Sequence, residues 1–122
     1  MSKKFSNHYD LDVWKKSMKL VTEIYKITSS FPQEEVFGLV SHLRKTAISI
    51  PSNIAEGAAR KGNKEFIRFL YISLGSLSEL DTQLIIAENL GYLEYIDVHK
   101  DKLLAIKYML NGLINSLGSN DH

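Results

Sequence analysis

The sequence contains no cysteine, and only 2 prolines and 7 glycines occur among its 122 residues. The absence of cysteine excludes a disulfide scaffold, a cysteine zinc site, an iron–sulfur cluster and a thiol nucleophile. The shortage of proline and glycine argues against a loop-rich sandwich or barrel and favours long helices. No apolar run is long enough to span a bilayer, and the polar segment Met1–His8 lacks a signal-peptide core. We therefore expect a cytoplasmic protein with no membrane partner.

The remaining composition is that of one ordinary globular domain. Hydrophobic residues make up 44% of the chain and charged residues 24%, which excludes wholesale disorder. A chain of this length holds one hydrophobic core and not two. We therefore expect a single domain over residues 1–122, with an ordered core at about 10–117 and flexible termini.

The net charge of +1 conceals an uneven distribution of charge along the chain. Residues 1–70 carry 12 Lys or Arg against 7 Asp or Glu, whereas residues 71–122 carry 3 against 7. A basic first half attracts polyanions locally, or pairs with the acidic face of another subunit. The charge pattern therefore leaves two kinds of partner open, a nucleic acid and a second copy of the chain.

Apolar residues spaced three and four apart predict four amphipathic helices, and no segment alternates with period two for long enough to predict a sheet. Short connections between such helices are typical of an up-down bundle. The sequence therefore predicts an all-α, antiparallel four-helix bundle. The expected helices run from about Asp12 to Ser29, from about Pro32–Glu35 to Gly62, from Asn63 to about Leu90, and from about Asp97 to Leu117.

Pro51 lies within the apolar stripe of the second helix. Proline removes one backbone donor and crowds the carbonyl of Ala47, so we expect a kink. The stripe keeps its phase across Pro51, which favours one bent helix over two separate ones. Gly62 is the expected C-cap of this helix, and Asn63 is the expected N-cap of the next. The stripe consists of Val36, Val40, Leu43, Ala47, Ile50 and Ile54.

The third helix carries more apolar residues than one buried face can hold. Such a surplus is what an obligate oligomer interface needs, so we expect copies of the chain to associate through this helix. The expected core stripe is Phe66, Leu70, Ser73, Leu77, Leu80, Leu84 and Ala87, and the surplus is Ile67, Phe69, Tyr71, Ile72, Leu74, Ile85 and Ile86.

The first and fourth helices also have apolar stripes, which we expect to face the same core. Trp14 belongs to one of them, and the alternative to a core position is a base-stacking platform. The first helix has two stripes, one of Leu11, Trp14, Met18, Val21 and Tyr25 and one of Val13, Leu20, Ile24 and Ile27; the fourth has Ile96, His99, Leu103, Ile106, Leu110, Leu113 and Leu117.

Enzyme signatures are absent from the sequence. There is no phosphate-binding glycine loop, no His-Glu-x-x-His, and no Glu-x-x-His of the kind that di-iron bundles carry. Nothing in the sequence pairs Glu56, Glu79 and Glu88 as a general acid and base. His99 fits a hydrogen-bonded core position better than a ligand position. We therefore expect no catalytic residue, no metal and no cofactor.

Basic residues of the second and third helices provide the strongest functional signal. Lys64 and Arg68 are four apart and share a helix face. A basic cluster of this kind neutralises phosphates and gives affinity with little base specificity. The alternative is a solvated surface in which Glu56 and Glu65 pair with some of the charges. The candidate nucleic-acid-binding residues are Arg44, Lys45, Arg60, Lys61, Lys64 and Arg68.

The segment Ser49–Gly57 reads Ser-Ile-Pro-Ser-Asn-Ile-Ala-Glu-Gly. We expect Ser52 and Asn53 to bond backbone groups that the proline loosens, or Asn53 to bond to a neighbouring helix. Glu56 is expected to face Arg60. These expectations favour a structural role for the segment over a binding role.

The same segment resembles the hallmark of the bacterial four helix bundle protein family, in particular Pro51, Asn53, Glu56 and Gly57. This family includes the intervening-sequence protein encoded within large-subunit ribosomal RNA genes. The resemblance covers about residues 10–93 and also rests on Asp12-Val13-Trp14, Phe31-Pro32, Gly38-Leu39, Leu43-Arg44-Lys45, Gly75-Ser76-Leu77-Ser78-Glu79-Leu80 and Gln83-Leu84.

The resemblance implies a four-helix bundle that assembles as a homopentameric ring. It implies no settled biochemical role, although RNA binding is suggested for the family. The related accessory variability proteins of retroelements bind nucleic acid and a reverse transcriptase through a basic pentamer. This chain departs from that branch, because its net charge is only +1.

The sequence therefore favours a non-enzymatic, oligomeric four-helix bundle that binds RNA or DNA through basic residues of its second and third helices. The alternative is a structural module that binds a protein partner, in which the basic residues only increase solubility.

Overall fold

The computed structural model describes residues 7–95 and 97–119, and for residues 97–99 it describes the backbone only. It is all-α over these residues. Two short 3₁₀ turns occur, at His8–Asp10 and at Gln33–Glu35. No strand occurs within these ranges. The expectation of an all-α fold with four helices is confirmed. The helices are α1 (Asp12–Thr28), α2 (Leu39–Ala58), α3 (Asn63–Asn89) and α4 (Asp97–Ser119).

The four helices enclose one core. Each helix contacts the next along the chain, and α4 also contacts α1, where Lys102 pairs with Glu23. This cyclic arrangement of contacts is that of a bundle. None of the helices in the described part of the chain has the length and apolarity that crossing a membrane requires.

The apolar stripes expected for α2 and α3 form the centre of the core. All seven stripe residues of α3 are buried, as are all those of α2 from Val40 onward. Val36 precedes α2 and is 44% exposed. Several of these side chains have no exposed surface, and burying each such large side chain stabilises the fold by about 1.5–3 kcal/mol. The residues without exposed surface are Leu43, Ala47, Ile50, Ile54, Phe66, Leu70, Ser73, Leu80 and Ala87.

The buried face of α1 agrees with most of the expected one but differs at its edges. Leu11, Val13, Leu20 and Ile24 are buried, and Trp14, Val21 and Ile27 pack against the core. Met18 and Tyr25 are at least 40% exposed, while Ser17 and Thr28 are buried. The two hydroxyls donate to carbonyls of their own helix, Ser17 Oγ to Val13 O and Thr28 Oγ1 to Ile24 O, both at 2.7 Å. These bonds satisfy the two hydroxyls, so Ser17 and Thr28 occupy core positions. A pattern of hydrophobic and polar residues would place both of them in solvent.

The core face of α4 agrees with the expected stripe for most of its length. Leu103, Ile106, Leu110 and Leu117 are buried. Ile114 is also buried, although the stripe assigned its neighbour Leu113 to that position, and Leu113 only packs against the core. The expected core positions of Ile96 and the His99 side chain lie outside the described residues.

The expected start of α2 at Pro32–Glu35 is wrong, because the helix begins at Leu39. Glu35 Oε1 accepts a hydrogen bond from the Leu39 backbone N–H at 3.2 Å, which satisfies a free donor of the first turn. Glu35 Oε2 accepts from Tyr92 Oη at 2.8 Å, in the connection between α3 and α4. The first turn of α2 is therefore capped by the side chain of Glu35, which the bond from Tyr92 holds in place.

The expected roles of Gly62 and Asn63 are also wrong. α2 ends at Ala58, and Gly62, with a φ of 85°, is the residue that precedes α3. Asn63 makes no capping bond; its Nδ2 donates to Leu117 O at 3.3 Å and the side chain is buried. Asn63 therefore connects the start of α3 to the end of α4.

α2 continues through Pro51 as one helix, as expected. Asn53 Nδ2 donates to Ser49 O at 2.8 Å, so Asn53 bonds within its own helix and not to a neighbour. The cross-helix bond near the proline comes from α3, where Ser73 Oγ donates to Ile50 O at 2.9 Å. Ser52, expected to bond the backbone, is exposed.

The apolar surplus of α3 is smaller than the sequence indicates. Phe69 is buried, and Ile67 and Leu74 pack against the core. The residues of this set that are exposed are Tyr71 at 58%, Ile72 at 40%, Ile85 at 39% and Ile86 at 43%.

Candidate nucleic-acid interface

The end of α2 lies unusually close to the first turns of α3. A β-carbon added to Gly57 would lie 2.7 Å from Phe69 Cβ and 3.0 Å from Phe66 Cδ1. Only glycine fits at this crossing without displacing α3. The connection between the two helices is short, and it passes through Gly62 in a conformation that residues with a side chain rarely adopt. This packing brings Arg60 in the connection and Arg68 in α3 to the same ring. Arg60 and Lys61, which we expected on the second helix, lie just after the end of α2.

Two arginines flank the same aromatic ring at this crossing. The guanidinium carbon of Arg60 lies 5.0 Å from the centroid of the Phe69 ring, and that of Arg68 lies 4.5 Å from it. Both distances are within the range of a cation–π interaction. Phe69 itself is only 8% exposed, so its ring is a fixed support for the two cations.

Each arginine is also paired with a carboxylate one turn away. Arg60 Nη2 donates to Glu56 Oε2 at 2.7 Å, as expected for Glu56, and Arg68 Nε donates to Glu65 Oε2 at 3.3 Å. The side chains of all four residues are between 45% and 56% exposed. Solvent-exposed ion pairs contribute little to stability, so a phosphate can compete for either arginine.

The carboxylate of Glu65 lies within electrostatic range of three of the candidate cations. The hydrogen bond from Arg68 is the main cause that lowers the pKa of Glu65, and the charges of Arg68, Arg60 and Lys64 lower it further. A phosphate at the position of this carboxylate would be attracted by the same three cations. Lys61 and Lys64 are exposed and make no ion pair among the described residues. We refer to Arg60, Lys61, Lys64 and Arg68 as the α2–α3 basic patch.

The other two candidate cations, Arg44 and Lys45, lie on α2 and outside the patch. Arg44 Nε donates to Thr28 Oγ1 at 3.0 Å and its Nη2 to Tyr25 O at 3.4 Å, with the guanidinium 4.4 Å above the Tyr25 ring. Arg44 therefore stabilises the C-terminal end of α1. Lys45 is exposed, about 20 Å along α2 from Ala58, where the helix ends. The structure brings together four of the six candidate residues.

The motif residues have contacts that position the helices. Pro51 is buried and Asn53 bonds to its own helix, while Gly57 sets the α2–α3 distance. Glu56 differs from them, because its carboxylate holds Arg60 in the basic patch. Sequence reasoning missed the support that Phe69 provides, because it assigned Phe69 to an outer face. No group of three or more metal-binding side chains occurs in the described part of the chain.

Comparison with known proteins identifies the family. The family model of the 23S rRNA-intervening sequence protein matches residues 9–112. The chain belongs to the 23S rRNA-intervening sequence protein family. The match extends from the 3₁₀ turn before α1 well into α4, beyond the region of about 10–93 that carried the resemblance in sequence. The basic patch and the segment Ser49–Gly57 both lie within it. No curated protein matches this member of the family.

Proposed function

We propose that the protein binds RNA through the phosphates, with the α2–α3 basic patch as the contact surface. The observation that carries the proposal is the placement of Arg60 and Arg68 around the Phe69 ring, 5.0 and 4.5 Å from its centroid, next in sequence to exposed Lys61 and near exposed Lys64. Exposed Lys61 and Lys64 are available to phosphates as they stand. Arg60 and Arg68 would exchange their carboxylate partners for phosphate oxygens, which they bind with the same fork geometry. This contact gives affinity with little sequence preference.

The bundle that carries the patch is proposed to be a single antiparallel up-down domain, kinked at Pro51, in the cytoplasm. Two contacts support the antiparallel arrangement, since Arg44 near the start of α2 bonds to the end of α1, and Asn63 at the start of α3 bonds to the end of α4. The kink follows from the donor that Pro51 lacks opposite the carbonyl of Ala47.

A homopentameric ring of these bundles is part of the proposal. The exposed apolar residues Tyr71, Ile72, Ile85 and Ile86 on α3 support it, because a lone bundle gains nothing from this surface. A ring repeats the basic patch on every subunit. Binding of one patch then raises the effective concentration of the others for the same RNA, which compensates for the small charge of one patch.

A second function has its own structural support. A groove of about 530 Å³ lies between α3 and α4, lined by apolar Leu74, Leu77, Leu103 and Leu104, with charged Asp81 among its other lining residues. An apolar groove between two helices suits the apolar face of a helix from a protein partner. In that case the protein is an interaction module, and the basic patch only increases solubility.

A salt titration with a matched control variant separates the two functions. Affinity for a short RNA is expected to fall steeply with salt, with a slope of about −0.7 per phosphate contacted on a single strand and −0.9 on a duplex. Lys64→Ala should make this slope shallower by about one contact. Lys45→Ala removes an exposed lysine of α2 that lies outside the patch, so it should leave the slope unchanged. Absence of RNA binding at low salt would favour the interaction module.

A further inference from the structure

Three aromatic rings form a cluster at the start of α1, in which Tyr9 is exposed and His8 and Trp14 are half-buried. The centroids of the His8 and Tyr9 rings are 4.3 Å apart, those of His8 and Trp14 are 4.9 Å apart, and those of Tyr9 and Trp14 are 5.3 Å apart. Tyr9 is 62% exposed, and its backbone N–H donates to Asn7 Oδ1 at 2.9 Å. Trp14 packs against the hydrophobic core. The cluster is therefore anchored on one side and open to solvent on the other.

The contacts between helices place this cluster at the end of the bundle that carries the α2–α3 basic patch. Arg44, near the start of α2, bonds to Thr28 at the end of α1, so the start of α1 faces the later turns of α2. The 3₁₀ turn His8–Asp10 also contacts α2 directly. At the same end, Asn63 at the start of α3 bonds to α4.

We propose that the bound nucleic acid is single-stranded, with unpaired bases stacking on Tyr9 and His8 while its phosphates contact the basic patch. This inference rests on the proposed function and specifies its ligand. Aromatic side chains offer flat faces to bases, and only unpaired bases expose faces to them. In a duplex the faces are covered by neighbouring base pairs, so the cluster would contribute nothing.

The charges of the basic patch agree with this separation of bases and phosphates. Lys61 and Lys64 of the basic patch are exposed and make no ion pair among the described residues, so phosphates are favoured there. The uncharged faces of bases are favoured on the aromatic rings.

The test uses Trp14, the only tryptophan of the chain, as a fluorescent reporter in the full-length protein. The ligands are a 12-nucleotide oligouridine, the corresponding DNA strand, an abasic strand with the same phosphates, and a 12-base-pair RNA duplex. Stacking predicts that either single strand with bases quenches Trp14 fluorescence, and that the abasic strand and the duplex quench it far less. The RNA and DNA arms show which sugar is preferred.

The variants separate stacking from structure. Tyr9→Ala is expected to weaken oligouridine binding about tenfold and to leave binding of the abasic strand unchanged. Tyr9→Phe should retain wild-type affinity, because it keeps the ring. Tyr108→Ala removes a 70% exposed ring of α4 and serves as the control. Circular dichroism of each variant checks that the fold is intact.

Failure of this inference differs from failure of the proposed function. If oligouridine binds with an affinity that depends on Lys64 but not on Tyr9, the stacking inference is wrong and the phosphate contact stands. Equal affinity of the wild type for the abasic strand and for oligouridine would also overturn the stacking inference alone. If none of the ligands binds at low salt, both proposals are wrong.

Discussion

The backbone of Gly57 in α2 lies so close to Phe69 in α3 that a β-carbon at residue 57 would be 2.7 Å from Phe69 Cβ. This contact determines the distance between α2 and α3 at the basic patch, which lies in their connection and in the first turns of α3. It also holds the Phe69 ring between Arg60 and Arg68. Gly57, the last residue of the segment Ser49–Gly57, is therefore linked to the candidate site through its contact with Phe69.

Gly57→Ala is expected to destabilise the protein by about 1–3 kcal/mol, since α3 must move away from α2 to accommodate the added methyl group. Urea unfolding followed by circular dichroism measures the change. Gly75→Ala is the matched control, because Gly75 is also helical and a β-carbon there has no atom within 4 Å. That control should stabilise the protein by up to about 1 kcal/mol, through helix propensity alone. Equal effects of the two substitutions would contradict the packing argument.

Ser73→Ala is expected to destabilise the protein by about 1–3 kcal/mol. Ser73 is fully buried and its hydroxyl donates to the carbonyl of Ile50, directly before Pro51. Removing the hydroxyl leaves that carbonyl without its partner from α3 and leaves a small void. Thermal and urea unfolding measure the loss. Ser116→Ala, at an exposed position of α4, is the control and should change stability by less than about 0.5 kcal/mol. A loss for Ser73→Ala no greater than that of the control would show that the bond across the helices adds no stability.

Periodicity located the cores of α2 and α3 because nearly every buried position of those two helices is apolar. In α1 it located most of the buried face but assigned Met18 and Tyr25 to it as well. It missed Ser17 and Thr28, which lie in the core with their hydroxyls bonded to the backbone. A pattern of hydrophobic and polar residues contains no information on such internal bonds. The start of α2 was predicted wrongly because it depends on hydrogen bonds of one side chain. Glu35 accepts from the backbone N–H of Leu39 and from Tyr92, which is distant in sequence.

The sequence predicted only those features of the candidate site that depend on spacing along the chain. The spacing of Lys64 and Arg68, and the pairing of Glu56 with Arg60, follow from the helical repeat. The support that Phe69 provides depends on how closely α2 and α3 pack, which no spacing along either helix specifies. The separation of Arg44 from the patch likewise depends on its bond to Thr28 in another helix.

Pro51→Ala is expected to change the assembly of subunits more than the helicity of each subunit. α2 is already continuous through Pro51, so alanine adds one backbone hydrogen bond and little new helix. If a kink at Pro51 shapes the proposed ring, a straighter α2 changes the mass or shape of the oligomer. Sedimentation velocity measures assembly, and far-ultraviolet circular dichroism measures helicity. Ser52→Ala, at the exposed neighbouring position, is the control. An unchanged sedimentation profile for Pro51→Ala would argue against a role of the proline in assembly.

The alkaline limit of stability is expected to depend on Tyr95. Burial is the main cause that raises the pKa of Tyr95 above its ordinary value of 10.0, and the hydrogen bond that its Oη donates to Asp81, at 2.8 Å, adds to it. Above pH 10 the unfolded chain loses this proton while the folded chain keeps it. The unfolded state then binds fewer protons, so stability falls as pH rises, by up to about 1.4 kcal/mol per pH unit.

Tyr95→Phe removes this titration, although loss of the bond to Asp81 lowers stability at neutral pH by about 1 kcal/mol. Urea unfolding between pH 9 and pH 11 should therefore show a smaller alkaline loss of stability for the variant than for the wild type. Tyr108→Phe, which removes a hydroxyl from a 70% exposed side chain, should retain the wild-type slope. Parallel curves for Tyr95→Phe and the wild type would mean that Tyr95 ionises alike in the folded and unfolded chains. The buried contact between the α3–α4 connection and Asp81 would then have no part in the pH dependence of folding.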